Sequence, residues 1–558
     1  MYTVYLLACL EPRKRAGAGH DRRGSGMPTC GEQLMSLLTS YGVDTVFGIP
    51  GVHTLELYRG LAKSGIRHIG VRHEQGAGFM ADGYARISGR PGVCVLITGP
   101  GVTNAATAIA EAYADSSRVL VISSVNAIAD LGMGRGHLHE IRSQEAVTAP
   151  LTGFSATALS LDEVPELVAR AFAQLYSGRP RPAHIAMPID LLGRPAGFST
   201  AARLVPTPPA PGEEHVAQAA ALMRKARRPV MIVGGGAVDA AVDTTRLAER
   251  LGAAVILTRA GKGIVPAAHG LNLGATLTRP ATRAILKSAD LVVAVGTELA
   301  PADHWVERLE LGGKLIRIDV DPANLVRDYP PAAALLGDAG AAARMLLQAL
   351  GPKPNAPAGF DLGDELSRTR RENVAILTPK QRKHAAILDV LAEVLPEDGF
   401  VAADSTQLAY TANAYFPCNR PRSWFFPVGY GTLGFALPAA IGAKLAAPQR
   451  PGAVIVGDGG FLFTVQELAT AVELRLPLAI LLWNNDAYGQ IRDDMIETGI
   501  PELGVGLQNP DFLTLARAFG CHAVRPDSLT ALRSALGAAF AADLPTVIEL
   551  REDAPYLP

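Results

Sequence analysis

The stretch "VIVGDGGFLFTVQELATAVELRLPLAILLWNNDAYGQ" (Val454–Gln490) decides the fold. An apolar run ends in Gly457-Asp458-Gly459-Gly460. A helix-like segment, "TVQELATAVELR", follows, and a second apolar run, "LAILLW", stops at Asn484-Asn485-Asp486. Two such runs around a helical spacer read as parallel strands buried on both faces. In open α/β sheets, ligands sit beyond the carboxyl ends of the strands. Glycines let a backbone approach a bulky group, and the free amides of a helix start favour phosphate oxygens. Asp458 alone would repel a phosphate; beside a divalent cation it helps hold one. Asn485, 27 positions on, offers a second hard oxygen. That donor set suits Mg²⁺, whereas softer metals ask for His or Cys. A Gly-Asp-Gly turn taken alone is an ordinary turn; the strand-terminal Asn-Asn makes the signal composite.

The same alternation runs outward in both directions. Met27 to about Leu192 contains "TVFGIPG", "GVCVLITGPG", "VLVISS" and "AHIAMPID" between helical patterns. A Pro-rich segment, 202–215, reads as a linker. The runs "RPVMIVGGGAV", "AAVILTRAGKG", "DLVVAVGTE" and "GKLIRIDVDP" make a second block, and "GPKPNAPAG" (351–359) a second linker. The expectation is an α/β protein of three domains, 27–195, 215–350 and 370–555, each a largely parallel sheet flanked by helices. Residues 1–26 differ from the rest and read as a disordered extension, since "VYLLACL" is short and its positive charges follow it.

Composition narrows the function classes. The 558 residues carry a formal net charge of -1, with 19% charged and 48% apolar side chains. No polyanion signature is present, so neither nucleic acid nor a membrane is an expected partner. The basic stretches "RAGAGHDRR" and "RKARR" lack interleaved aromatics and read as solvated surface. Five scattered cysteines, 9, 30, 94, 418 and 521, make no C-x-x-C pair, which suits a reducing cytoplasm rather than a disulfide framework.

With 24 residues between Gly459 and Asn484, the stretch resembles the thiamine diphosphate-dependent enzyme superfamily, in its acetolactate synthase-like branch. The resemblance covers nearly everything after residue 27. It implies thiamine diphosphate and Mg²⁺ as cofactors. Asp458, Asn485 and the Ala487 carbonyl would hold the metal, with Gly457, Gly459, Gly460 and Gln407 of "DSTQ" near the diphosphate. In "VRHEQGAGFMADGYARISGRPGV", Glu74 would bind the aminopyrimidine and promote proton loss from the thiazolium carbon, a general acid–base role. Taken alone, "HEQ" reads as a helix start. Gly99, Pro100 and Asn104 of "ITGPGVTN" match the turn beside the pyrimidine. In "GYGTLGFALPAAIGAKLA", the Gly431 carbonyl would meet the amino group, with Thr432 adjacent and Leu433 wedged beneath the bent cofactor; by its residues alone that leucine is core. The family builds its site across subunits, so the resemblance implies a homodimer at least, and a tetramer commonly.

That chemistry decarboxylates a 2-oxo acid and then either protonates the product to an aldehyde or couples it to a second carbonyl. Pyruvate decarboxylases carry a His-His pair where "GRGHLHEIRSQ" gives His139-Glu140, and an acidic residue where Val52 stands. Acetolactate synthases carry a flavin-associated stretch where "TELAPADHW" follows Gly296, so FAD is not expected. "FGIPGVHT", "LHE", "DSTQ" and "GYGTLGFALPAAIGA" together most resemble the decarboxylases of 5-guanidino-2-oxopentanoate in arginine catabolism, which yield 4-guanidinobutanal and CO₂; carboligation is the alternative. His139 is the expected proton donor, a histidine's ordinary pKa lying near about 6.5, with His53 and His137 as alternatives. A guanidinium tail asks for a carboxylate or an aromatic ring. Glu140, Asp493 and Asp494 are the candidates, with Val52, His53 and Gln490 nearby in the same segments. By their residues alone, Asp493, Asp494 and Glu497 read as solvated surface.

Overall fold

A computed structural model describes residues 26–352 and 362–558. Residues 1–25 of the expected extension (1–26) and most of the second linker (353–359) lie outside the described residues. The chain divides into two compact units, residues 26–85 with 89–206, and 207–558 with 86–88.

The first unit holds one six-stranded sheet: β1 Thr45–Gly48, β2 Arg67–Gly70, β3 Gly92–Leu96, β4 Val119–Val125, β5 Phe154–Thr157 and β6 Ala183–Pro188, in the order β2-β1-β3-β4-β6-β5. Every pairing is parallel. The central strands β3, β4 and β6 are buried at every residue, as helices on both faces require. Between β2 and β3 runs the helix Glu74–Ser88. His73 starts it, its Nδ1 accepting from the Gln75 N–H at 3.1 Å, and Gly89 at φ 73° ends it. Between β3 and β4 runs the helix Pro100–Ala114, with proline in its first turn.

The second unit holds two sheets. One is β7 Pro229–Val233, β8 Ala254–Leu257, β9 Leu291–Val295, β10 Lys314–Asp319 and β11 Ala333–Leu336, in the order β11-β10-β9-β7-β8. The other is β12 Phe400–Ala403, β13 Trp424–Phe425, β14 Gly452–Gly457, β15 Leu478–Asn484, β16 His522–Val524 and β17 Thr546–Arg551, in the order β13-β12-β14-β15-β17-β16. Both are parallel throughout. The expected α/β class with three largely parallel sheets is what the chain forms. Residues 202–212 carry no regular element, as a Pro-rich linker should, and the next helix opens at Glu213.

One local reading is corrected. A single helix was expected from Thr464 onward; instead a helix begins at Asp458 and runs to Thr464, and a second spans Glu467–Glu473. Gly457 is extended (φ -86°, ψ 160°), so the chain turns helical immediately after the strand.

Lys262 joins the two sheets of the second unit. Its buried ammonium donates to the carbonyls of Ala412 (3.0 Å), Asn413 (3.0 Å) and Phe416 (2.7 Å), at the end of the helix Gln407–Tyr415. It also sits 4.5 Å from the Trp424 ring centroid. A cation there complements the helix C-terminus. Burial pulls its pKa down to about 8. The unfolded chain therefore holds more protons between pH 8 and 10.5, and stability from this group rises with pH across that window. Lys262→Met should lower unfolding free energy by about 2 kcal/mol near pH 9, by leaving carbonyls without a donor, and should abolish the rise. Urea melts at several pH values would check both.

Candidate functional site

The register of β14 against β15 places Gly457 beside Trp483. Asp458, the first residue after β14, and Asn484, the last of β15, thus leave the sheet side by side. Asp458 is 2% exposed. Its Oδ1 accepts the Gly459 N–H at 2.9 Å; its Oδ2 accepts from the Ala487 N–H (3.3 Å) and from Asn509 Nδ2 (2.8 Å). Among the described residues, no Lys, Arg or His forms an ion pair with it. Burial pushes its carboxyl pKa up, and the N–H donors only partly offset that. The Oδ1 of Asn509 is itself buried without a hydrogen-bond partner. A buried carboxylate lacking a cation, beside an orphaned amide oxygen, is a fit for a hard divalent ion. Among the described residues, no three His, Cys, Asp or Glu side chains gather as a metal group, so the protein's share of such a site is this one carboxylate with amide and carbonyl oxygens.

Asn485 faces Gln407, its Nδ2 lying 3.2 Å from Oε1. Gln407 in turn donates to Asp493 Oδ2 at 2.6 Å, and Lys380 Nζ reaches the same oxygen at 2.5 Å. Asp493 thus anchors the helix Gly489–Thr498 to the rest of the unit. These internal partners take its Oδ2. Gln490 donates to Asp494 at 2.9 Å, one turn along the same helix. Glycine is needed at 459 and 460 because of the protein's own atoms. A Cβ at 459 would come within 2.7 Å of the Tyr488 ring, and one at 460 within 2.8 Å of Asp404 Oδ2.

Asp404 is the residue here that sequence reasoning passed over inside "DSTQ". Fully buried, it accepts from the backbone of Ser405 (2.9 Å) and Gly434 (2.8 Å). Burial pushes its carboxyl up to about 7. It fixes the loop Gly431–Gly434 against the start of the helix at Asp458. In that loop Gly431 has φ 71° with open space around it, and Ser405 Oγ donates to its carbonyl at 3.1 Å. Thr432 Oγ1 bonds the Leu433 carbonyl, and Leu433 is only half-buried, near Gly460.

The first unit gathers the other expected residues. Asn104 Nδ2 donates to Glu74 Oε2 at 2.9 Å. Gly99, at φ 65°, passes so close to the His139 carbonyl that a Cβ would lie 2.4 Å from it; Pro100 then opens the helix. His139 is itself left-handed, at φ 60°. His53 meets it edge-on, ring centroids 5.5 Å apart, and bonds Thr98 Oγ1 at 2.9 Å. Burial, with the His139 charge behind it, pulls the His53 pKa down to about 4. Val52 is partly exposed beside it. Glu140 has a different occupation from the one expected. Its two oxygens accept from the backbone N–H groups of Arg135 (3.1 Å) and His137 (2.9 Å), which holds its pKa low and closes the glycine-rich loop.

Beneath these residues lies a buried polar network with no local signature in the sequence. Gln144 Oε1 accepts the Gly99 N–H at 2.9 Å, and its Nε2 donates to Ser123 Oγ and the Ser124 carbonyl, both at 2.8 Å. Ser123 pairs with His184 at 2.7 Å, and burial keeps His184 far below its ordinary pKa, at about 3. A satisfied network of this kind fixes the turn at Gly99.

Family comparison agrees with the three-sheet layout. Residues 28–147 match the thiamine pyrophosphate enzyme N-terminal TPP binding domain, 216–346 the central domain and 404–550 the C-terminal TPP binding domain. The chain is 55% identical over 528 residues, 94% of each chain, to the "Probable 2-ketoarginine decarboxylase AruI" of Pseudomonas aeruginosa. It is 34% identical to the acetolactate synthase isozyme 1 large subunit of Escherichia coli, over 83% of each chain. It is 33% identical to the acetolactate synthase large subunit IlvB1 of Mycobacterium tuberculosis, over 89% of this chain and 83% of that one. With matches in all three domains and relatives aligned along almost the whole length, the chain belongs to the thiamine pyrophosphate enzyme family, whose cofactors are thiamine diphosphate and Mg²⁺.

Proposed function

We propose that the protein decarboxylates 5-guanidino-2-oxopentanoate (2-ketoarginine) without oxidation, giving 4-guanidinobutanal and CO₂. The observation that carries this reading is the 55% identity, over 94% of both chains, to the relative named for that reaction. Loss of CO₂ from a 2-oxo acid anion gives an aldehyde only if one proton is taken up per turnover. Thiamine diphosphate, when bound, supplies the carbon nucleophile and the electron sink.

The chain's residues have the following roles in this reading. Asp458, Asn485 and the Ala487 carbonyl hold Mg²⁺, with Gly457, Gly459, Gly460 and Gln407 beside the diphosphate. Glu74, held by Asn104, would exchange a proton with the aminopyrimidine when the cofactor is bound, and Gly99 and Pro100 would fix the turn beside it. The Gly431 carbonyl and Leu433 position the ring, with Thr432 securing the loop. His139 delivers the proton to the product, and neutral His53 orients it. The protein works as a homodimer at least, and as a tetramer by analogy with the family, on a small-molecule 2-oxo acid. No helix of the described residues is long and apolar enough to cross a membrane. Four free, buried cysteines, Cys30, Cys94, Cys418 and Cys521, support placing it in a reducing cytoplasm.

A second reading, carboligation, is favoured by the 34% identity to an acetolactate synthase subunit. Mass spectrometry of products separates the two. Purified protein with Mg²⁺ and thiamine diphosphate is given pyruvate, branched-chain 2-oxo acids and 5-guanidino-2-oxopentanoate in turn. The expected result is a guanidino aldehyde from the last. Acetolactate or a mixed acyloin from pyruvate, with the guanidino acid untouched, would move the protein to the carboligases.

A further inference from the structure

We propose that Trp305, Tyr410 and Asp494 form the subsite that receives the guanidinium end of the substrate; this rests on the decarboxylase reading above. Trp305 is unusual twice over. It is 63% exposed, and it stands in the left-handed region (φ 52°, ψ 33°) at the end of the short helix Pro301–His304. Glycine is the residue that suits such a position, and a strained, exposed indole points to a function for the side chain.

The surroundings indicate a cation. Trp305 meets Tyr410 edge-on, ring centroids 6.2 Å apart, and Tyr410 meets Phe426 the same way at 6.2 Å. The Arg259 guanidinium already lies over the Trp305 ring (5.2 Å) and the Phe426 ring (5.8 Å). With Arg259 in place, most of the indole is still open. Aromatic faces attract a guanidinium, but a second one beside Arg259 also needs a negative charge. Asp494 is exposed on the helix Gly489–Thr498, and its neighbour Asp493 accepts from Gln407 at 2.6 Å, one turn before Tyr410 on the helix Gln407–Tyr415. A carboxylate has about four lone-pair sites, so the single bond from Gln490 leaves Asp494 able to accept more. Asp493 already has its charge paired with Lys380, and Glu140 accepts two backbone N–H groups in the glycine-rich loop of the first unit.

The cluster also neighbours the loop expected to hold the cofactor ring. Tyr410 stands on the helix Gln407–Tyr415, and Ser405, just ahead of that helix, donates through its Oγ to the Gly431 carbonyl at 3.1 Å, in the loop expected to seat the cofactor ring. An extended five-carbon guanidino acid places about 6 Å between its reacting carbonyl and its guanidinium carbon, from ordinary bond lengths.

Two measurements on the holoenzyme test this. The first is kcat/KM for 5-guanidino-2-oxopentanoate and for uncharged 2-oxohexanoate in the wild type, Trp305→Gly and Asp494→Asn. Glycine relieves the strain at 305, so a fall in activity there cannot be blamed on a damaged fold. Each substitution should lower the guanidino value by about tenfold or more, through KM, and change the 2-oxohexanoate value by less than about threefold. Equal losses on both substrates, or none on either, would overturn the subsite. The second is fluorescence. The other two tryptophans, Trp424 and Trp483, are buried, so Trp305 reports on its own surface. Unreactive 5-guanidinopentanoate should change the emission saturably, hexanoate should not, and Trp305→Gly should erase the response. A wild type that does not turn over the guanidino acid, yet shows the selective emission change, retains the subsite and refutes the decarboxylase reading. Selective turnover that survives in both variants, with no emission change, refutes the subsite alone.

Discussion

Replacing Glu74 with glutamine should lower kcat by about a thousandfold while changing cofactor affinity by less than about threefold, general acid–base groups contributing typically 10²–10⁴. The carboxylate is the first residue of the helix Glu74–Ser88, and the His73 cap sets where that helix begins. Its Oε2 accepts from Asn104 Nδ2 at 2.9 Å. Glutamine keeps the length and an oxygen for that bond. It lacks an ionisable proton, which is the property the role requires. Steady-state kinetics with saturating cofactor give the first quantity, and calorimetric titration of thiamine diphosphate with Mg²⁺ present gives the second. Normal turnover in the variant would remove Glu74 from the proton path. A loss of cofactor binding matching the loss of rate would make it a positioning group. Asn104→Ala should produce a milder form of the same defect, since it frees the carboxylate to rotate without removing it.

How much of this could be read from the chain follows from what local sequence encodes. Strands β14 and β15 are apolar runs ending in Gly457 and Asn484, and their register does the rest: with Gly457 beside Trp483, Asp458 and Asn484 have to emerge together. The three parallel sheets were legible for the same reason. What closes the site was not. Asn509 reaches Asp458 from 51 positions away, out of a loop with no periodicity. Gln144 reaches Gly99 across 45 positions, and Asp404 reaches Gly434 across 30. Asn509 and Asp404 sit in loops, and Gln144 opens the short helix Gln144–Thr148, so no spacing rule places any of the three. The acids show the converse problem. Glu140 and Asp493 look available in the sequence, yet backbone amides occupy one and Lys380 with Gln407 the other. A carboxylate's partners become visible only once the chain is folded. Trp305 was quoted only as the end of a stretch that departs from a flavin pattern; its exposure and its left-handed backbone are properties of the fold.

Asp458→Ala should weaken retention of Mg²⁺ and thiamine diphosphate by about a hundredfold or more, since loss of even an outer partner of a metal ligand reduces affinity 10–100-fold. The carboxylate is buried and receives three N–H donors, from Gly459, Ala487 and Asn509. Alanine would leave those donors without an acceptor, which costs stability as well. The two effects separate with a second variant. Asp458→Asn keeps one oxygen to accept hydrogen bonds and removes the charge. If the charge is what matters, both variants lose the cofactor while Asp458→Asn melts, without cofactor, close to the cofactor-free wild type. Should Asp458→Asn instead hold Mg²⁺ and thiamine diphosphate like the wild type, the residue is a structural acceptor and the metal assignment fails. Asp458 and Glu74 then form a contrasting pair: one variant should lose the cofactor and the other should bind it without turning over. A single binding measurement on both therefore tests whether the two units divide the labour between holding the diphosphate and moving the proton.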